Sequence, residues 1–81
     1  MKLSEYLSYF DPDQVCTVNG NEVWDYKSSD DFTKVYLISE PVKNVQDFDR
    51  VAACELHSFA GLFQDIAEVI DETTGNPVKS I

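Results

Sequence analysis

The feature that most restricts this chain is the dipeptide Asn19-Gly20, set between Gln14-Val15-Cys16-Thr17-Val18 and Glu22-Val23-Trp24-Asp25-Tyr26. Asparagine and glycine reach positive φ at low cost, and a two-residue turn with positive φ at both positions matches the twist of paired antiparallel strands. The spacing predicts a β-hairpin with a fixed register, in which Val15 faces Trp24 and Cys16 faces Val23. Beyond it, Lys27-Ser28-Ser29-Asp30-Asp31 is a polar loop. Thr33-Lys34-Val35-Tyr36-Leu37-Ile38-Ser39 carries β-branched and aromatic residues and predicts a third strand, punctuated by Pro41. Its apolar residues fall on both faces, so both are covered or one is an interaction surface.

Helical spacing flanks this β region. Leu3, Tyr6, Leu7 and Phe10 predict a short amphipathic helix over 2–10, ended by Asp11-Pro12-Asp13. Phe59, Leu62, Phe63, Ile66, Val69 and Ile70 give the strongest helical period in the chain, with Ser58 as its cap and Gly75 and Pro77 beyond its end. Upstream, Val45, Phe48, Val51, Ala52 and Leu56 fit a helix capped by Asn44, although a strand over 50–56 is an alternative. One helix, two helices or a partial strand all remain open for residues 44–72. The expected fold is α+β: a short N-terminal helix, a three-stranded antiparallel sheet and a C-terminal helical region, in the order α-β-β-β-α-α.

Eighty-one residues make a single domain, 1–81. Apolar residues are 43% of the chain and ten are aromatic, which excludes an intrinsically disordered composition. Cys16 and Cys54 have apolar neighbours and no CxxC partner, so both are expected as reduced thiols filling small core positions. The opening Met1-Lys2-Leu3-Ser4-Glu5 lacks the apolar run of a secretion signal, and no stretch is long and apolar enough to cross a bilayer. A cytoplasmic protein is expected.

Charge narrows the function classes. Fifteen carboxylates against six lysines and arginines give a net charge of −9. Nucleic acid and anionic membranes are themselves negative, so direct binding to either is disfavoured and a basic protein surface is favoured. Lys2, Lys27, Lys34, Lys43, Arg50 and Lys79 are scattered and form no basic stripe. Catalysis has little to rest on. His57 is the one histidine, and Cys54 three residues before it has no second ligand pair at zinc-like spacing. Asp30-Asp31 and Asp47/Asp49 resemble acid–base pairs but are expected by chance in so acidic a chain. Gly20, Gly61 and Gly75 form no phosphate loop. The expectation is a binding protein, not an enzyme, with no cofactor and no metal.

Between Arg50 and Lys79 there is no lysine or arginine, while Glu55, Asp65, Glu68, Asp71 and Glu72 all fall in that span. On a helix, Asp65, Glu68 and Glu72 at i, i+3 and i+7 share one face, roughly 5–6 Å between neighbours and opposite Phe59, Phe63, Ile66 and Ile70. Like charges so spaced cost helix stability, and Asp71 and Glu72 oppose the dipole at its C-terminal end. The bland reading is a solvated face that keeps the protein soluble. The functional reading is negative charge presented to a basic groove. A second cluster, Asp25, Asp30 and Asp31 with Glu22, adjoins Trp24 and Tyr26, and aromatic anchors beside charges are common at interfaces. Trp24 fits equally well as a core residue of a small sheet.

The opening Met1-Lys2-Leu3-Ser4-Glu5-Tyr6-Leu7-Ser8-Tyr9-Phe10-Asp11-Pro12-Asp13-Gln14, with the Asn19-Gly20 hairpin and Glu22-Val23-Trp24, resembles small accessory proteins of phages and mobile elements in Gram-positive bacteria. It covers about the first third of the chain. Among such proteins are anti-CRISPR and anti-restriction inhibitors, many of them small, acidic and non-enzymatic, several occupying the nucleic-acid groove of a nuclease. The resemblance implies an inhibitory binding protein of this kind. In that reading Asp65, Glu68, Asp71 and Glu72, with Asp25, Asp30 and Asp31, pair with lysines and arginines that otherwise hold phosphates, and Trp24 and Tyr26 supply buried contact. The alternative is a structural or adaptor domain that self-associates as a homodimer through Trp24, Tyr36 and Ile38. A third reading is an antitoxin-like subunit whose acidic helix covers a basic toxin.

Overall fold

A computed structural model describes residues 1–39, 45–59, 61 and 66–81, with Asp47 and Phe59 described by backbone alone. The fold is α+β. Leu3–Leu7 forms helix α1, and Leu3, Tyr6 and Leu7 all turn into the core, as their spacing requires. It is shorter than the 2–10 expected. Ser8 ends it, with its hydroxyl donating to the Glu5 carbonyl at 2.6 Å. Phe10 still packs beside Tyr6, the ring centroids 5.1 Å apart, whereas Tyr9 is exposed.

The Asn19-Gly20 turn forms as its residues dictate. β1 (Thr17–Val18) pairs antiparallel with β2 (Asn21–Glu22), and φ is +53° at Asn19 and +81° at Gly20. The Val23 amide donates to the Cys16 carbonyl at 2.8 Å, continuing the expected register. One residue further it stops, because Val15 bridges Ala52 instead of facing Trp24. Val51 inserts beside the hairpin: its carbonyl accepts from Cys16 N–H and its own N–H donates to Val23.

The expected second strand splits at this point. β3 (Asp25–Ser28) belongs to a different sheet from β2, pairing antiparallel with β4 (Lys34–Ile38). The Trp24 N–H donates to the Ile38 carbonyl although Asp25 is the residue paired with Ile38, so two residues oppose one. That is the geometry of a β-bulge, which bends the strand out of the hairpin and into the main sheet.

The expected three-stranded antiparallel sheet is instead a four-stranded mixed sheet in the order β3-β4-β5-β6, with β1-β2 as a separate two-stranded sheet. The added strands come from the segment whose periodicity predicted helix. β5 (Glu68–Asp71) lies parallel to β4, Val35 opposite Val69 and Tyr36 opposite Ile70. β6 (Asn76–Pro77) returns antiparallel through a turn in which Gly75 has φ +75°. Helix in this region is confined, among the described residues, to α2 (Ala53–Phe59), preceded by a 3-10 turn at Asp47–Asp49 that leaves Phe48 83% exposed. Leu62, Phe63 and Asp65 lie outside the described residues.

One apolar cluster joins these parts. Leu3, Tyr6 and Leu7 of α1, Cys16, Val18 and Val23 of the hairpin, Val35 and Leu37 of β4, Leu56 of α2 and Val69 of β5 all belong to it. Each fully buried aliphatic side chain contributes about 1.5–3 kcal/mol. Tyr36 and Ile38 alternate onto the opposite face of β4 and stay half-buried, so the strand that read as apolar on both sides is so. Both cysteines are free thiols. Cys16 is in the core as expected and burial pushes its thiol up to about 11, but Cys54 is exposed on α2. Among the described residues no helix is long and apolar enough to cross a membrane.

Candidate partner interface

The main sheet places Glu68, Asp71 and Glu72 on one side of β4 and Asp25, Asp30 and Asp31 on the other, while Glu22 lies in β2 and pairs with Arg50. On the β5 side the carboxylates are engaged by the chain itself. Glu68, half-buried, binds the N-terminal ammonium of Met1, which also donates to the Val78 carbonyl at 2.8 Å. Asp71 is 5% exposed; it accepts from the Asn19 amide at 2.9 Å and from Thr73 N–H at 3.0 Å. Glu72 pairs with Lys27 at 2.9 Å, and the same ammonium lies 5.8 Å from the Tyr36 ring centre. The one-sided acidic helix expected for Asp65, Glu68, Asp71 and Glu72 is therefore corrected: Glu68 and Asp71 bound a strand, Glu72 begins its turn, and Asp65 lies outside the described residues. Alternation along β5 sends Glu68 and Asp71 to opposite faces.

On the β3 side the structure brings Asp25, Asp30 and Asp31 onto one exposed hairpin. Asp25 Oδ1 accepts from the Tyr26 N–H at 2.8 Å. Tyr26 lies at a position whose N–H faces away from β4, so this carboxylate covers part of the open edge, a common protection against strand-to-strand aggregation. Asp31 organises the turn. Its Oδ1 accepts from the Thr33 hydroxyl at 2.7 Å, the Ser29 hydroxyl at 2.8 Å and the Thr33 N–H at 3.1 Å. Those bonds, the Thr33 hydroxyl first, hold its carboxyl down at about 2. Ser29 closes the loop from the other end, its N–H donating to Lys34 O and its hydroxyl accepting from Lys34 N–H.

Phe32 sits at the tip of this turn, and the sequence reading did not single it out. It is 51% exposed and has φ +58°, which a bulky side chain rarely adopts. The available signal was its place between Asp30-Asp31 and Thr33, where short polar side chains capture the backbone. Trp24 and Tyr26 are half-buried at the base of the hairpin, Tyr26 against the core. The Trp24 Nε1 is buried and has no hydrogen-bond acceptor among the described residues. Trp24 is thus half-buried and stands outside the apolar core cluster.

Among the described residues no three potential metal ligands converge. Cys54 and His57 share α2, three residues apart and both exposed. Comparison with protein-family models, curated proteins and solved structures finds no match for this chain.

Proposed function

We propose that this chain is a non-enzymatic binding protein that lays an acidic surface on a basic protein groove. The observation that carries the reading is the β3–β4 hairpin. Exposed Asp30 and Asp31 immediately precede a half-exposed aromatic, Phe32, on a turn that Asp31 ties with three hydrogen bonds, on a protein of net charge −9. A preorganised turn loses little entropy on docking, and an aromatic beside charges is a common anchor. The basic surfaces that fit are those that ordinarily hold phosphates. In keeping with the resemblance to phage and mobile-element accessory proteins, a host defence nuclease such as a CRISPR effector is the partner class proposed, with groove blockade as the mode of inhibition.

Pull-down of the tagged protein from host lysate, eluted first with salt and then with nucleic acid, tests this. A nuclease released by both agents is the expected result, since surface charge pairs weaken as salt screens them. Asp30→Lys, which leaves the Asp31 bonds in place, should then weaken capture strongly while the far-UV spectrum is retained. Capture that ignores both the reversal and the salt sinks the reading. Tyr36 and Ile38, half-buried on the sheet face away from the core, favour a second reading, self-association through apolar surface. It predicts a dimer that persists at high salt.

A further inference from the structure

A groove of about 490 Å³ lies between the β1–β2 turn and the β5–β6 turn, its walls including Asn19, Asp71, Thr74, Asn76, Val78 and Lys79. The geometry points to this groove as the receptor for a single arginine side chain of the basic partner, read by Asp71. The inference rests on the docking function above and adds a specific subsite to it.

Asp71 is only 5% exposed, yet it lines the groove. One oxygen accepts from Asn19 and the other from Thr73 N–H, at 2.9 and 3.0 Å. An ionised carboxylate offers about four acceptor positions, so about two remain. A group held in this way is already desolvated and fixed in direction. Much of the cost of forming a buried charge pair is then met before the partner arrives. A planar guanidinium matches two carboxylate oxygens better than an ammonium does. Asn19, Thr74 and Asn76 add amide and hydroxyl acceptors around the groove, and Pro77 and Val78 form an apolar wall suited to the methylene stem. The volume lies at the small end of ligand pockets, enough for one long side chain with part of its backbone.

Lys79 is the one opposing feature. It lines the same groove and is exposed, so its charge competes with an incoming cation. Removing this charge from the groove should therefore improve binding.

The experiment is a two-dimensional amide NMR titration of the whole chain with N-acetyl-arginine-methylamide at low salt. Saturable shifts at Asn19, Asp71, Thr74 and Asn76 are expected. Lys79→Ala should tighten the fitted affinity by about two- to fivefold, the range of one exposed charge pair. Asn76→Ala, at an exposed position, should weaken it with the fold intact. Asp71→Asn should abolish the shifts, and Asn76→Ala keeps the test valid if that variant unfolds. N-acetyl-lysine-methylamide should bind more weakly than the arginine probe. Non-saturating shifts spread over Glu5, Asp30 and Asp31, or an affinity indifferent to Lys79 and Asn76, would overturn the proposal. The titration needs no partner protein, so a negative result here leaves the docking function standing. Loss of docking with the groove titration intact separates the two in the other direction.

Discussion

On one side of β4 lies β5, with Glu68 and Asp71 at its ends and Glu72 just beyond. On the other lies β3, with Asp25, and the turn that carries Asp30 and Asp31. Both regions are acidic in sequence, and both looked like partner surface. Their physical situations differ. β5 is flanked by strands on both sides, and its carboxylates meet an ammonium, an amide and a lysine of the same chain. Among the described residues β3 is an edge, and Asp25 and Asp31 accept from local backbone and hydroxyl groups while staying exposed. A carboxylate count therefore says little about a docking surface until the partners of each group within the chain are known.

The comparison breaks most sharply at Asp71. Asp71→Ala leaves the Asn19 amide and the Thr73 N–H without their acceptor and should cost about 2 kcal/mol. Urea unfolding should show a lower midpoint at unchanged slope. An unaltered midpoint would mean that the β1–β2 turn is not tied to β5 by this contact. Glu72→Gln should cost less than about 1 kcal/mol, because Lys27 is 58% exposed and its ammonium keeps the Tyr36 ring. A larger loss would show the Lys27–Glu72 pair acting as a strut across the sheet.

The smallest effect is expected at Asp31, and it is read by pH. Its carboxyl is lowered from an ordinary 3.8 to about 2 in the folded protein. A depressed folded value means that the ionised form stabilises the turn fully above the unfolded value. That contribution declines as pH falls from near 4 toward 2. A carboxyl-carbon NMR titration should find the low midpoint, and Thr33→Val should move it up toward the ordinary value. A midpoint indifferent to Thr33 would leave the turn without its proposed organiser.

The sequence made some of this legible and hid the rest for identifiable reasons. Asn19-Gly20 was decisive because its backbone requirement is local and no other motif at that spacing satisfies it so cheaply. Leu3, Tyr6 and Leu7 were legible because all three face one core. Val69 and Ile70 misled. They continued a helical period from Phe59, but they are also β-branched, and the parallel neighbour that makes them a strand lies more than thirty residues back at Val35 and Tyr36. Gly75 misled in a related way, since positive φ serves a helix stop or a hairpin turn equally well. For the candidate site, Asp25, Asp30 and Asp31 were legible as an acidic patch. Phe32 was not, because its exposure depends on the backbone conformation that the Asp31 bonds impose.

The parallel pairing of β4 with β5 also bears on how the chain reaches this fold. β3 and β4 are adjacent in sequence and can pair as soon as both exist. β5 must close a loop of about thirty residues before it gains a single ladder bond, and such closures slow folding. The Leu3 N–H, moreover, donates to Ala67, and the Val69 N–H to Met1. During synthesis, then, β4 waits with Val35 and Leu37 exposed on one face, Tyr36 and Ile38 on the other, and one edge open. That interval is when the nascent chain is most exposed to aggregation, and the high density of negative charge then serves as kinetic protection, keeping neighbouring chains apart until β5 arrives.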